Sequence, residues 1–267
     1  MRGFELLYRR LPRVAFALCR ITNTNYEREM DLLDVLCDPQ KTGIDIGAKV
    51  GMYTYRIRAH CSDVIAFEPN PLFHNMLRKV FEGKRGHIEP VALSNQQGTA
   101  QLRLPFDRKK RMEFGRSTID NANPLDHDAV HSVDQIEVPT RCLDEYELPR
   151  VGFIKIDVEG HELAVLEGAQ KTIDAQHPVL LVECNDDHQP QGVARLASWL
   201  AARDYDARFI DGQSLLDIAQ YDRSKHWEGR HIENFICIHR SRGDVMERLA
   251  ARVATRRLGV HKADRTA

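Results

Sequence analysis

From residue 42 onward the chain alternates short apolar runs with helix-length stretches, and this alternation confines it to a narrow set of folds. TGIDIG (42–47), DVIAFE (63–68), GHIEPVAL (86–93), VGFIKIDV (151–158) and PVLLVEC (178–184) have the length and β-branched content of strands. Between them, residues 51–60, 71–82, 161–175 and 190–203 space their apolar side chains at helical intervals. Leu163, Leu166, Ala169 and Ile173 share one face of the third of these. Residues 205–210 and 233–239 read as two last strands. Strands alternating with helices imply right-handed crossovers and a mostly parallel sheet with helices on both faces. The expectation is one doubly wound α/β domain over residues 41–240. Residues 99–104 and 133–141 form an added hairpin or edge pair, and 105–132 an aperiodic loop of the kind that covers sites.

The ends of the chain read differently. Residues 1–40 are expected to be a helical extension, with Phe4, Leu7, Leu11, Val14 and Leu18 as its apolar stripe. Arg2, Arg9, Arg10, Arg13 and Arg20 then leave a solvated basic face, and weak contact with a membrane surface is the sharper reading of that face. The same arginines interrupt any apolar stretch that would serve as a secretory signal. Residues 241–267 are a second basic element, helical near 244–257 and frayed beyond. The charge run RKKR (108–111), flanked by Asp107 and Glu113, reads as a solvated loop. With 38 Lys plus Arg against 39 Asp plus Glu, the chain is no uniformly basic nucleic-acid binder, so no nucleic-acid partner is expected. No apolar run reaches the ~18 residues of a helical membrane span. The six cysteines show neither C-x-x-C nor metal-ligand spacing, which suits reduced thiols and a cytoplasmic location.

Function is legible at the strand ends. Ligands of open α/β sheets bind beyond the carboxyl ends of the strands, and four main strands carry an acid there: Asp45, Glu68, Asp157 and Glu183. Buried parallel strands are normally apolar on both faces, so four such acids point to a ligand. Strand alternation places Lys155 on the same face as Asp157. The turn GAKVG (47–51) is neither G-x-G-x-x-G nor a P-loop. Glu68, about 20 residues after that turn, stands where an acid accepts hydrogen bonds from ribose hydroxyls. Asp45, just before the turn, suits a cationic ligand and would repel a pyrophosphate. S-Adenosylmethionine, with a ribose, an ammonium and a sulfonium, meets both conditions. On that reading Gly47, Ala48 and Gly51 pass the backbone close to the methionine portion, and Tyr53 and Thr54 open the following helix. Pro69 and Asn70 shape the contact at Glu68 or simply stop the strand, and Ser94 reaches the adenine or forms a turn.

IDIGAKVGMYT (44–54), FEPNP (67–71), VALSNQQGTAQL (91–102), VPTRCLDEY (138–146) and KIDVEGHELAVLEGA (155–169) follow one another as in FkbM-type S-adenosylmethionine-dependent methyltransferases, a family that the chain resembles over roughly residues 26–240. The resemblance implies a Rossmann-like seven-stranded sheet with its last strand antiparallel. It also implies methyl transfer to an oxygen, often a hydroxyl of a sugar, glycan or natural product. Lys49 departs from the pattern, which usually has Asn or a small residue there. For the base that takes the hydroxyl proton, the candidates are Asp157, Glu159 and His161, with Lys155 beside them. Asp157, Glu159 and Glu183 are alternatively ligands for Mg²⁺; the remaining histidines, His188 included, read as solvated. An NAD(P)-dependent oxidoreductase would share the ribose acid but should open its helix with a third glycine, where this chain has Tyr53. A non-catalytic module that keeps the fold would accommodate Lys49. The identity of the acceptor and the oligomeric state are not encoded legibly.

Overall fold

The computed structural model describes residues 2–22, 26–109, 112, 116–125, 130–228 and 230–255. Lys110, Arg111, Glu113, His127 and the tail 256–267 lie outside the described residues. The first three helices are α1 (Arg2–Arg10), α2 (Pro12–Ile21) and α3 (Leu33–Leu36). An alternating core then runs β1 (Thr42–Ile46), α4 (Met52–His60), β2 (Asp63–Phe67), α5 (Pro71–Phe81) and β3 (His87–Glu89). After β4 (Ala92–Leu93), β5 (Gly98–Phe106) and β6 (Ser132–Arg141) come β7 (Val151–Ile156), α6 (Glu162–Gly168), α7 (Gln170–Gln176) and β8 (Val179–Glu183). The remainder is α8 (Gly192–Ala201), β9 (Tyr205–Asp211), β10 (Ser214–Asp217), α9 (Arg223–His226), β11 (Asn234–His239) and α10 (Gly243–Thr255).

The main sheet has the order β10-β9-β11-β8-β7-β1-β2-β3. Strands β3, β2, β1, β7 and β8 are mutually parallel, and β11 is antiparallel to both β8 and β9. The last strand is therefore inverted, as the resemblance implied. Among the described residues the main sheet has eight strands rather than seven, because the chain turns at Gly212, in the left-handed region at φ 62°, and lays β10 back along β9. Strand alternation splits the core into two layers. Phe153, Val179 and Leu181 face α2–α5 and α10, whereas Ile154, Ile156, Leu180 and Val182 face α6–α8.

Three local expectations change. The run 86–93 breaks at Pro90, which has no N–H to give a ladder; β3 stays in the main sheet and β4 joins β6 and β5 in a separate three-stranded sheet. The β5–β6 pair thus lies off the main sheet. The helix expected over 161–175 divides at Ala169, beside Gly168, where an added Cβ would stand 1.9 Å from the Ser94 carbonyl oxygen. The N-terminal helix divides at Leu11–Pro12, since proline cannot donate to the preceding turn. Of the stripe expected to dock, Leu7 packs on the core, but Leu11, Val14 and Leu18 are exposed; Ala15, Phe16 and Cys19 are buried instead. All six cysteines are free thiols, five of them buried. No helix among the described residues is long and apolar enough to cross a membrane.

The direction of the chain reverses between β1 and β7: β2 and β3 build outward on one side of β1, β8 on the other. Asp45 is in register with Lys155, and the Asp157 N–H donates to the Ile46 carbonyl at 3.0 Å. Gly47 follows at φ 81°, and a Cβ there would lie 1.8 Å from the Asp157 carbonyl oxygen. Gly47→Ala should therefore cost about 3 kcal/mol or more, through backbone strain and a backbone clash together. Urea unfolding checks this, and a variant of unchanged midpoint would show that the two strand ends are not packed this closely.

Candidate active site

The carboxyl ends of β1, β7 and β8 open into a cleft of about 380 Å³. Its charged lining is mostly acidic: Glu27, Asp45, Asp157, Glu159, Glu183, Asp187 and Glu233 face Lys49, Arg116 and Lys155. A narrower apolar pocket adjoins it, walled by Phe67, Phe73, Leu93, Leu102 and Ile119. Gly47, Lys49 and Asp157 line both cavities and so mark their junction.

Lys49 organises that junction. Its backbone is left-handed at φ 47°, and its ammonium lies 3.1 Å from Asp157 Oδ2 and 2.9 Å from Glu159 Oε1. Glu159 is also left-handed, at φ 57°. Two non-glycine residues held in this costly region across one ion pair show that the surrounding structure imposes the contact. Burial acts to lower the Lys49 pKa, but Asp157 and Glu159 outweigh it and hold the ammonium well above its ordinary range. Burial likewise acts to raise Asp157, and Lys49 with Lys155 reverses this, so its carboxyl is held below the usual range. Lys155, fully buried, donates to Asn234 Oδ1 at 3.2 Å and Glu183 Oε2 at 3.5 Å, and stands 5.2 Å from the centre of the Tyr53 ring.

The other expected residues fall in distinct places. Glu68 accepts from the Lys49 N–H at 2.7 Å and the Asn70 N–H at 2.8 Å, and lines the apolar pocket with Pro69 and Asn70. The Asn70 side chain also caps α5 by accepting from the Leu72 N–H. Thr54 lines neither cavity; its hydroxyl donates to Asp45 at 2.5 Å and holds that carboxylate in place. Tyr53 lines the large cleft with Ala48, and its hydroxyl donates to Glu27 at 2.8 Å. Gly51, at φ 81°, starts α4 where a Cβ would meet Leu77 at 2.4 Å. Ser94 Oγ lies 2.9 Å from His161 Nε2, and His161 Nδ1 is 3.6 Å from Asp120. Neither Ser94 nor His161 lines either cavity.

Several cleft residues were not picked out by sequence. His188 Nε2 stands 3.3 Å from Glu159 Oε2, and at Gly160, left-handed at φ 105°, an added Cβ would stand 3.2 Å from the His188 Cβ. Trp227 is fixed by its indole N–H to Asp187 at 2.6 Å. Arg116 Nη1 and Ser117 Oγ are buried without a hydrogen-bond partner among the described residues. Arg116 lines the cleft and Ser117 the apolar pocket. Their signal was that they belong to connecting segments expected to shape specificity or lying near strand ends: Arg116 and Ser117 to the long loop 105–132, Trp227 to the stretch 211–232, and His188 to the β8–α8 turn. Asp157, Glu159 and Glu183 bring oxygen atoms within 4.8 Å of one another, the spacing of a cation site. The Lys49 ammonium already bridges two of these carboxylates and Lys155 touches the third. Mg²⁺ therefore does not fit this arrangement, since it would bring two more positive charges beside two ammoniums.

A family model, the methyltransferase FkbM domain, matches residues 45–209. The chain belongs to the FkbM methyltransferase family. S-Adenosylmethionine is the cofactor that this family implies. The hexuronic acid methyltransferase AglP of Haloferax volcanii is 26% identical over 156 residues, 58% of this chain and 60% of that protein. Of solved structures, the methyltransferase FkbM of Methylobacillus flagellatus KT has a TM-score of 0.50 at 15% identity, covering 89% of this chain and 58% of that one. TrmK of M. capricolum, solved with S-adenosylhomocysteine, is more remote, at a TM-score of 0.41 and 12% identity over 80% of this chain and 68% of that one.

Among the described residues the chain buries several carboxyls that the ammoniums of Lys49 and Lys155 do not neutralise. Burial raises Asp45 to about 6 and Glu29, Glu68 and Glu162 to about 7; Glu233 rises to about 8. Burial, then Asp157 and Glu233, holds Glu183 well above its ordinary range. Because these pKa values are raised in the folded chain, their contribution to stability is complete below about pH 4, the unfolded carboxylate range, and is lost as pH rises through 6 to 8. Thermal melts of the ligand-free protein should show a falling Tm across that window. A Tm that climbs from pH 6 to 8 would contradict this burial of charge.

Proposed function

We propose that this methyltransferase moves the methyl group of S-adenosylmethionine to a hydroxyl oxygen of an acidic sugar. The observation that carries the reading is the junction at Gly47, Lys49 and Asp157, which joins an acid-walled cleft to an apolar pocket rimmed by Glu68. The residues present fit the cofactor. Glu68 spends one lone pair of each oxygen on the Lys49 and Asn70 N–H groups and keeps others for a ribose diol. The apolar walls suit a purine, and the orphaned Ser117 hydroxyl offers that ring a hydrogen bond. Gly47 and Ala48 bring the backbone to the methionine portion, and the surplus of carboxylates suits its cationic groups.

When bound, S-adenosylmethionine supplies an electrophilic methyl carbon; the chain's own task is to orient the hydroxyl, take its proton and exclude water. His188 is the residue placed to take it. With Nε2–H directed at Glu159, its Nδ1 carries the free lone pair, and Glu159 stabilises the imidazolium that results. Asp157 and Lys49 hold Glu159 in place, and Trp227 supplies a flat wall for a sugar ring. His161, beside Ser94 and Asp120, serves the packing behind the site. The unpaired edge of Arg116 meets an acidic group of the acceptor, a reading favoured by the hexuronic acid named for the Haloferax relative.

Labelled cofactor offered with uronic acid and neutral sugar acceptors tests this directly. Label should appear as an alkali-stable ether, preferentially on the uronic acids. Transfer to nitrogen or carbon, or an alkali-labile ester, would overturn the assignment. His188→Ala should lower turnover by about 10²–10⁴ with cofactor affinity little changed, while His161→Ala should do much less. Equal losses in steady-state kinetics would remove His188 from the base role. Cofactor affinity should strengthen from pH 6 to 8 as Glu68, raised to about 7, ionises and becomes a full acceptor; calorimetry showing the opposite slope would sink the ribose contact.

A further inference from the structure

Among the described residues six large apolar side chains are well exposed, and five of them, Leu6, Leu11, Val14, Leu18 and Ile21, lie on α1 and α2 or at their junction. Along α2 the spacing of three, four and three residues puts Leu11, Val14, Leu18 and Ile21 on one stripe. This is not a loosely docked helix. Its opposite face is anchored, with Phe16 edge-on to Tyr55 and to Phe81 at 5.8 Å each. The stripe is aimed at solvent by a helix held firmly from behind, and soluble chains seldom leave such a contiguous apolar strip uncovered.

The flank of the stripe is basic. Arg20 stacks on Tyr55 at 4.1 Å, and Arg13 reaches the Lys79 carbonyl and Glu82. Arg10 is exposed, and Arg58 and Lys84 lie over the Phe81 ring. Burial, followed by repulsion from Arg58, Arg13 and Arg20, lowers the Lys84 pKa, so these cations share one patch. A second copy of the chain is a poor cover. An isologous contact would set the two arginine sets against each other. An anionic surface with an apolar layer beneath it complements both features.

We propose that α1 and α2 form a docking face for an anionic phospholipid surface. Leu11, Val14, Leu18 and Ile21 enter the headgroup layer, and Arg10, Arg13 and Arg20 meet its charge. The contact runs through the apolar stripe with the arginines at its edge, rather than through a basic face alone. The groove between α2 and α4 shares Met52 with the active-site cleft, so the docked face lies beside the site.

The test is flotation of the full chain with vesicles of phosphatidylcholine alone and of phosphatidylcholine with phosphatidylglycerol. Binding should require the anionic lipid and weaken as salt rises. The double variant Leu11→Ser, Leu18→Ser should lower the bound fraction at least about tenfold, with unchanged Tm and cofactor affinity; Val14→Glu, at another exposed position, should do the same. Failure of the wild-type chain to float with anionic vesicles overturns the proposal, as does binding that survives these substitutions. A dimer seen by light scattering and dissolved by them would assign the stripe to a second copy instead.

Discussion

The site hangs on one ion cluster, the ammonium of Lys49 between Asp157 and Glu159 at the topological break between β1 and β7. Carboxylates at the ends of buried parallel strands are costly unless they are paired. Here a lysine from the β1 turn reaches across to the end of β7, and a second lysine from β7 reaches β8. Charge pairing therefore runs across the sheet, perpendicular to the chain, and ties together the strand ends that a ligand must bridge. Without Lys49 the two left-handed turns at 49 and 159 would lose the interaction that offsets their strain.

This cluster also explains the division of the cavity. Lys49 spends its backbone N–H on Glu68, toward the apolar pocket, and its side chain on Asp157 and Glu159, toward the acidic cleft. One residue thus couples the two binding regions. The acids that its ammonium does not touch, Asp45, Glu183 and Glu233, remain underneutralised, their carboxyls raised by burial. An enclosed surplus of this kind favours a cationic ligand, because binding one relieves repulsion that the folded chain otherwise carries.

The alternation that named the fold was legible because burial on both faces forces continuous apolar runs on a parallel strand. Asp45, Glu68, Asp157 and Glu183 were legible for the converse reason: each interrupts such a run where apolar residues are otherwise required. His188, Arg116, Ser117 and Trp227 carry no such contrast. They lie on connecting segments, where polar residues are ordinary, and only the return of those segments over the strand ends brings them to the cleft. The docked face of the N-terminal helices differs from the face its spacing predicts for a related reason. The spacing of Leu11, Val14 and Leu18 defines an apolar stripe but not what lies against it, and in α2, which restarts at Pro12, it is Ala15, Phe16 and Cys19 that meet the core.

By itself, then, the sequence determined the class of fold, the cofactor turn and the acidic strand ends, all properties of local periodicity and of residues out of keeping with their burial. Only the tertiary structure decided the direction in which Lys49 points, the separation of His161 from the cleft and the entry of His188, and which stripe of α2 faces solvent. Those outcomes depend on contacts between residues up to a hundred or more positions apart, such as Lys49 with Asp157. Short-range spacing along a chain carries no record of such contacts.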